Sequence, residues 1–362
     1  MYERILVYVG TYTHGESEGI YIFRLDQDTG GLKPIGKATN ITNPSFLAVS
    51  PNKQYLYAVN EVGSFEGKRT GAASSYRINL ETGELTLLNT KPSGGTSPCY
   101  VTVDGTGRYV LAANYGNGSV CVLPVMDDGS LGDATDIVQH RGSSVNPKRQ
   151  EGPHAHSVIL DPSNRYAYVA DLGIDKIMIY KFDSERGKLI PNDQPWVSTH
   201  PGAGPRHFTI HPNRRFAYVI NELDSTITAF SFDSETGRLK PIQTISTLPE
   251  GYEGTNYPAD IHVSPSGRFL YGSNRGHNSI VIYNIDEETG RLSMIGHEST
   301  RGRIPRNFAI DPNGKFLFVA NKESDNIVAF RLDEDTGLLE PIGEEVKVPT
   351  PVCIRFLPLR DG

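Results

Sequence analysis

The sequence predicts an all-β protein, a seven-bladed β-propeller built from four-stranded antiparallel blades. Three observations predict it. A short apolar strand followed by an acidic turn and a leucine recurs seven times along the 362 residues, at a spacing of about fifty residues, the length of one propeller blade. A second pattern, two alternating strands joined by a Pro/Asn/Gly turn, precedes each copy. The two chain ends carry the halves of one further copy.

The first pattern reads GIYIFRLDQDTGGL from Gly19, SSYRINLETGEL from Ser74 and SVCVLPVMDDGSL from Ser119. It continues as KIMIYKFDSERGKL from Lys176, TITAFSFDSETGRL from Thr226, SIVIYNIDEETGRL from Ser279 and NIVAFRLDEDTGLL from Asn326. The second pattern reads PSFLAVSPNKQYLYAVNE from Pro44 and returns from Pro98, His156, Pro205, Pro258 and Pro305. Together they give strands A and B, then C, with D following the turn leucine. The split copy is PVCIRFLPL from Pro351, matching strand A, and ILVYVGTYT from Ile5, matching strand B. The C-terminus is therefore expected to supply one strand of the last blade and the N-terminus three, a closure that leaves no free sheet edge at the seam. We expect residues 1–362 to form one domain. The irregular segments Gln139 to Pro153, Asp193 to Gly204 and Pro249 to Tyr257 are expected to be rim loops, where function concentrates.

Bulk properties narrow the function. A formal net charge of -7 argues against nucleic acid or an anionic membrane as partner. Much of that acid lies in the repeated D-x-x-T-G turns, which lack calcium-loop spacing and read as turn chemistry. Cys99, Cys121 and Cys353 sit in apolar strands and read as buried, reduced thiols. The N-terminus enters a strand at once, with no apolar leader, and no stretch is apolar enough to span a bilayer. A cytoplasmic location is expected.

Strand A begins, and strand B ends, on the same face beside the central channel. The first A positions are Ser45, Cys99, His156, Arg206, Ala259, Arg306 and Val352. The residues following strand B are Glu61, Tyr115, Leu172, Glu222, Arg275 and Lys322, with Thr11 as the seventh equivalent. Symmetric architecture alone would repeat one residue type; divergence into His, Arg, Glu and Lys marks a grafted site. The preceding series, Asn60, Asn114, Asp171, Asn221, Asn274 and Asn321, is regular and reads as structural.

Four segments carry chemistry. In RQEGPHAHSV from Arg149, His154 or His156 offers an acid/base or substrate contact, or a structural hydrogen bond; the alternate-residue spacing is expected to make a poor chelate, so no metal is expected. Arg206 in GPRH offers a planar cationic fork suited to a carboxylate, phosphate or oxyanion, while His207 is expected to bond between blades. Glu222 reads either as a general base or as the salt-bridge partner that holds Arg206. Arg275, Arg306 and Lys322 form either surface ion pairs or a cationic cluster for an anionic substrate group. Glu61, Tyr115 and Arg149 join them as candidate substrate contacts.

With VGTYT at Val9, NPSFLAVSP at Asn43, NYGNGSV at Asn114, GAGPRHF at Gly202 and SNRGHNSI at Ser273, nearly the whole chain resembles the propeller-type 6-phosphogluconolactonase family, which is related to fungal carboxymuconate-lactonizing enzymes. The resemblance implies a lactone hydrolase acting on 6-phospho-glucono-1,5-lactone in the pentose phosphate pathway, with no cofactor. It carries the catalytic roles to His154 or His156, Arg206 and Glu222. The alternatives are a lactonase or lactonizing enzyme for another carboxylated substrate, and a non-catalytic binding platform.

Overall fold

Seven four-stranded antiparallel sheets make up the computed structural model, which describes residues 2–360. Six blades each use four consecutive strands, A to D. Blade 1 comprises β4 (Leu47–Val49), β5 (Tyr55–Asn60), β6 (Ala72–Ile78) and β7 (Leu85–Pro92). Blades 2 to 6 open with β8 (Pro98–Val103), β12 (Ala155–Leu160), β16 (Pro205–Ile210), β20 (Tyr257–Val263) and β24 (Pro305–Ile310). Each of these A strands contacts the next around the channel, and β28 (Pro351–Leu359) closes the circle between β24 and β4.

The seventh blade is the expected hybrid, ordered β28, β1 (Arg4–Thr11), β2 (Gly19–Leu25) and β3 (Leu32–Thr39). Val7 pairs with Phe356, Val9 with Ile354 and Gly10 with Cys353. The seam is knitted from both chain ends; as in the other six blades, the first and fourth strands, here β28 and β3, are the edges of the sheet.

Between blades the cores are apolar. Every B strand is buried along nearly its whole length, because both of its faces meet a neighbouring sheet. The repeated turns lie on the face opposite the strand B ends. Their Asp26, Asp183, Asp233, Asp286 and Asp333 accept backbone N–H groups two and three residues on, which is the Asx-turn role expected of them.

One loop expectation is corrected. Residues 193–198 are not loop: they belong to β15 (Lys188–Ser198), the long outer strand of blade 3. A register shift lets Met178 pair with Trp196 while Tyr180 pairs with Pro191, so a bulge absorbs the polar insertion that read as irregular.

Candidate active site

The channel face owes its chemistry to a recurring backbone irregularity. Where strand A begins, the pairing with strand B skips residues, between Pro98 and Tyr100, Ala155 and Ser157, Pro205 and His207, and Pro305 and Asn307. The skipped residues are Cys99, His156, Arg206 and Arg306. A bulge frees one residue from the ladder and re-aims its side chain, and four blades use it to present a chosen group at the channel. The polar residue ending strand B anchors the next turn: Asn60 donates to Thr42 O, Asn274 to Thr247 O and Asn321 to Thr300 O. That series is structural, as expected, and it fixes the residue that follows it.

One correction concerns that following series. Thr11 is the last residue of β1 and bonds across to Gly19 O, so it matches the Asn series. The seventh channel position belongs to Tyr12. The sequence register ran one residue short because blade 7 has threonine where the others have Asn or Asp.

These residues enclose a cavity of about 280 Å³. Its charged lining is Glu61, Glu222, Arg149, Arg275 and Arg306; Cys99, His156, Tyr115 and Tyr257 complete it. Three guanidiniums thus face two carboxylates, one positive charge in excess. A larger hollow of about 580 Å³ beside Trp196 and Lys240 lies among the outer strands of blades 3 and 4 and lacks such convergence.

Glu222 is the electrostatic centre. Its Oε1 accepts Arg149 Nη2 at 2.6 Å, and its Oε2 accepts Arg206 Nε at 3.0 Å and Arg275 Nη2 at 2.7 Å. Burial alone would raise the carboxyl pKa, but Arg275, Arg206 and Arg149 outweigh it and hold it far below the usual carboxylate range. Both oxygens are thereby committed, and the salt-bridge reading of Glu222 fits better than the general-base reading.

Arg206 departs from the expected channel contact. It is 2% exposed and does not belong to the cavity lining. Its Nη1 donates to His207 Nε2 at 3.1 Å and to Ala259 O. His207 Nδ1 in turn faces Asp260 Oδ1 at 2.7 Å, in the next blade, as the inter-blade role required. Burial, with Arg275 and Arg306 nearby, pulls the Arg206 pKa down to about 9, so it remains cationic at neutral pH. Arg206 supports Glu222 from beneath, while Arg149, Arg275 and Arg306 face the cavity.

Of the two histidines, His156 lines the cavity and His154 does not. His154 stacks on Tyr115 with centroids 4.6 Å apart, and its two nitrogens bond Tyr115 O at 2.9 Å and Glu151 Oε1 at 3.0 Å. It props up Tyr115. The His156 ring meets the Tyr115 edge at 5.4 Å, and its Nδ1 lies 3.6 Å from Cys99 Sγ. Burial first, then Arg206, His207 and Arg306, drive the His156 pKa well below its ordinary value, so the ring is neutral.

Glu61 accepts hydrogen bonds from Tyr12 Oη at 3.0 and 3.1 Å and from Ser45 Oγ. The Arg306 guanidinium lies over the Tyr12 ring at 5.5 Å and has no hydrogen-bonded partner among the described residues. Lys322 reaches the outer side of the same ring, 5.8 Å away, and does not line the cavity. Tyr12 and Tyr257 escaped the sequence reading, and Ser45, which the repeat placed at the channel, was given no role there. The phase of the blade-7 repeat was the signal for Tyr12; Tyr257, expected at the end of the Pro249 rim loop, instead opens β20 and pairs with Arg275. No cluster of three or more His, Cys, Asp or Glu side chains among the described residues is placed to hold a metal.

Residues 6–356 match the family described as Lactonase, 7-bladed beta-propeller. The chain belongs to that family. Among its lactonase relatives, a 6-phosphogluconolactonase of Bacillus subtilis is 39% identical over 350 residues, 97% of each chain. A 6-phosphogluconolactonase of Formosa agariphila is 35% identical, over 84% of this chain and 85% of its own. A solved structure, the periplasmic gluconolactonase of Pseudomonas aeruginosa, superposes with a TM-score of 0.92 at 37% identity, covering 98% of this chain and 99% of that one.

Proposed function

We propose that this lactonase-family protein hydrolyses the lactone of a phosphorylated sugar acid, with 6-phospho-glucono-1,5-lactone as the preferred substrate. The observation that carries the reading is Arg306: a guanidinium facing the cavity with no hydrogen-bonded partner among the described residues, beside a cluster in which Glu222 bridges Arg149 and Arg275. A cation so placed attracts an anionic group or a carbonyl oxygen that gains charge during reaction.

In this reading the lactone lies across the cavity with its carbonyl oxygen toward the guanidiniums. Water adds to the carbonyl carbon, and the oxyanion of the tetrahedral intermediate is held by Arg306, aided by Arg275 or Arg149. Such a preorganised donor contributes about 3–4 kcal/mol. His156 and Tyr115 shape the wall on which the sugar ring rests. No cofactor is required, because a lactone is an activated ester. The names of the Bacillus and Formosa relatives support the phosphorylated substrate. The three buried thiols support a cytoplasmic location, which cell fractionation tests.

Binding of the product, 6-phosphogluconate, followed by calorimetry, tests the placement. Arg306→Ala is expected to weaken it at least about tenfold, the scale of one lost charge-assisted contact. Equal affinity in both proteins would remove Arg306 from the site.

A further inference from the structure

Hydrolysis needs a group that takes a proton from the attacking water, and the choice of that group rests on the lactonase reading above. We propose that Glu61 is the general base. Three cavity residues could accept a proton, and their surroundings separate them.

Glu222 is bonded at both oxygens by guanidiniums from three other positions of the ring. Protonating it would leave Arg149, Arg206 and Arg275 together without their counter-charge, in a place where unpaired charge is costly. His156 is neutral, and a proton there would add a cation beside Arg206 and Arg306, with no carboxylate bonded to the ring to offset it. Glu61 meets these objections in weaker form. Its donors are two neutral hydroxyls, those of Tyr12 and Ser45, no salt bridge reaches it among the described residues, and Arg306 is the guanidinium that feels its charge, through space and without a hydrogen bond. Burial keeps Tyr12 in its protonated, donating form.

Position supports the same choice. Glu61 follows strand B of blade 1 and Glu222 follows strand B of blade 4, so they occupy opposite sides of a seven-seat ring while lining one cavity. A lactone held toward the arginine cluster presents its carbonyl carbon to a water on the Glu61 side. As the water oxygen bonds to that carbon, one water O–H bond breaks and the proton passes to Glu61, while the carbonyl π electrons move onto the oxygen held by arginine. The intermediate then collapses, the ring C–O bond breaks, and the departing oxygen takes the proton back from Glu61. The open-chain hydroxy acid is released and loses its acidic proton to solvent.

The test compares wild type, Glu61→Gln and Glu61→Ala on 6-phospho-glucono-1,5-lactone by continuous titration of released acid, with spontaneous hydrolysis subtracted. A general base contributes roughly 10²–10⁴-fold, so Glu61→Gln should lower kcat at least about a hundredfold with KM changed by less than about threefold. The fall of kcat toward low pH should vanish in that variant. Added formate should restore kcat of Glu61→Ala by about tenfold or more, which a misfolded protein could not show. A Glu61→Gln enzyme that keeps kcat within about threefold, or changes only KM, would overturn the proposal and make Glu61 a substrate contact. Failure of formate to act on Glu61→Ala, with the acid limb intact in Glu61→Gln, would overturn it as well. Wild-type protein inactive on every lactone would overturn the lactonase reading instead.

Discussion

Glu222 illustrates how far a single residue can be read from sequence. Its place beside the channel was legible from the repeat, and its link to Arg206 was one of two open readings. What the sequence could not convey was crowding: Arg149 comes from a rim loop and Arg275 from the next blade, and no local spacing connects them. Removing the carboxylate leaves the buried Arg206 and the partly exposed Arg275 and Arg149 without their counter-charge, so Glu222→Gln should destabilise the fold by about 3 kcal/mol in urea unfolding. The pH dependence has a definite sign. The folded carboxyl pKa lies below its unfolded value, so this residue's contribution is complete above the ordinary glutamate pKa and fades as pH falls toward the folded value. Between pH 5 and pH 3 the unfolding midpoint of wild type should therefore fall more steeply than that of Glu222→Gln; parallel slopes would contradict the clamp. His156 should show a neutral ring throughout pH 5–8 by nitrogen-15 NMR, since burial and its cationic neighbours depress its pKa. A titration midpoint near 6.5 would place it in a more solvated setting.

Among the elements, the blade junctions explain the repeat that made the fold legible. The strand B tyrosines Tyr8, Tyr57, Tyr168, Tyr218 and Tyr271 donate to the carbonyls of Gly83, Gly129, Gly237, Gly290 and Gly337, each in the acidic turn of the following blade. The glycine is required twice over at Gly290: its φ is +69°, and an added Cβ would lie 2.3 Å from the Phe216 ring. The two blades without the tyrosine hydroxyl carry Leu111 and Phe318 at that place, so the bond supports the junction without being indispensable. Tyr218→Phe should cost about 1–2 kcal/mol, one buried hydrogen bond with its acceptor left unpaired. Gly290→Ala should cost more, since both backbone strain and a ring clash oppose it. Thermal melts of the two variants check the order, and a reversed ranking would refute the account of the turn. The blade elements were predictable because the hydrophobic period and turn chemistry agree in every copy. The bulges that aim Cys99, His156, Arg206 and Arg306 were not, because a skipped pairing leaves no mark in composition.

For the whole molecule, ring closure and site are one matter, since Tyr12, Glu61 and Arg306 come from blades 7, 1 and 6, on both sides of the seam. The closure was legible from the two half-copies at the chain ends. Deleting residues 351–360 should remove Ile354 and Leu357 from two hydrophobic clusters and bare an inner sheet edge; the truncated chain should aggregate or lose its cooperative melt. In the proposed reading, the cationic bias of the cavity selects the substrate. Arg306→Ala should lower kcat on a phosphorylated lactone by roughly a hundredfold, the loss of its oxyanion contact, with Lys322→Ala changing it far less because Lys322 stands outside the lining. The most direct measurement is the ratio of kcat/KM for 6-phospho-glucono-1,5-lactone to that for unphosphorylated glucono-1,5-lactone, taken with purified protein in excess EDTA. A ratio of about ten or more, unchanged by the chelator, is the predicted result; no acceleration over spontaneous hydrolysis, or activity that EDTA abolishes and a divalent ion restores, would contradict it.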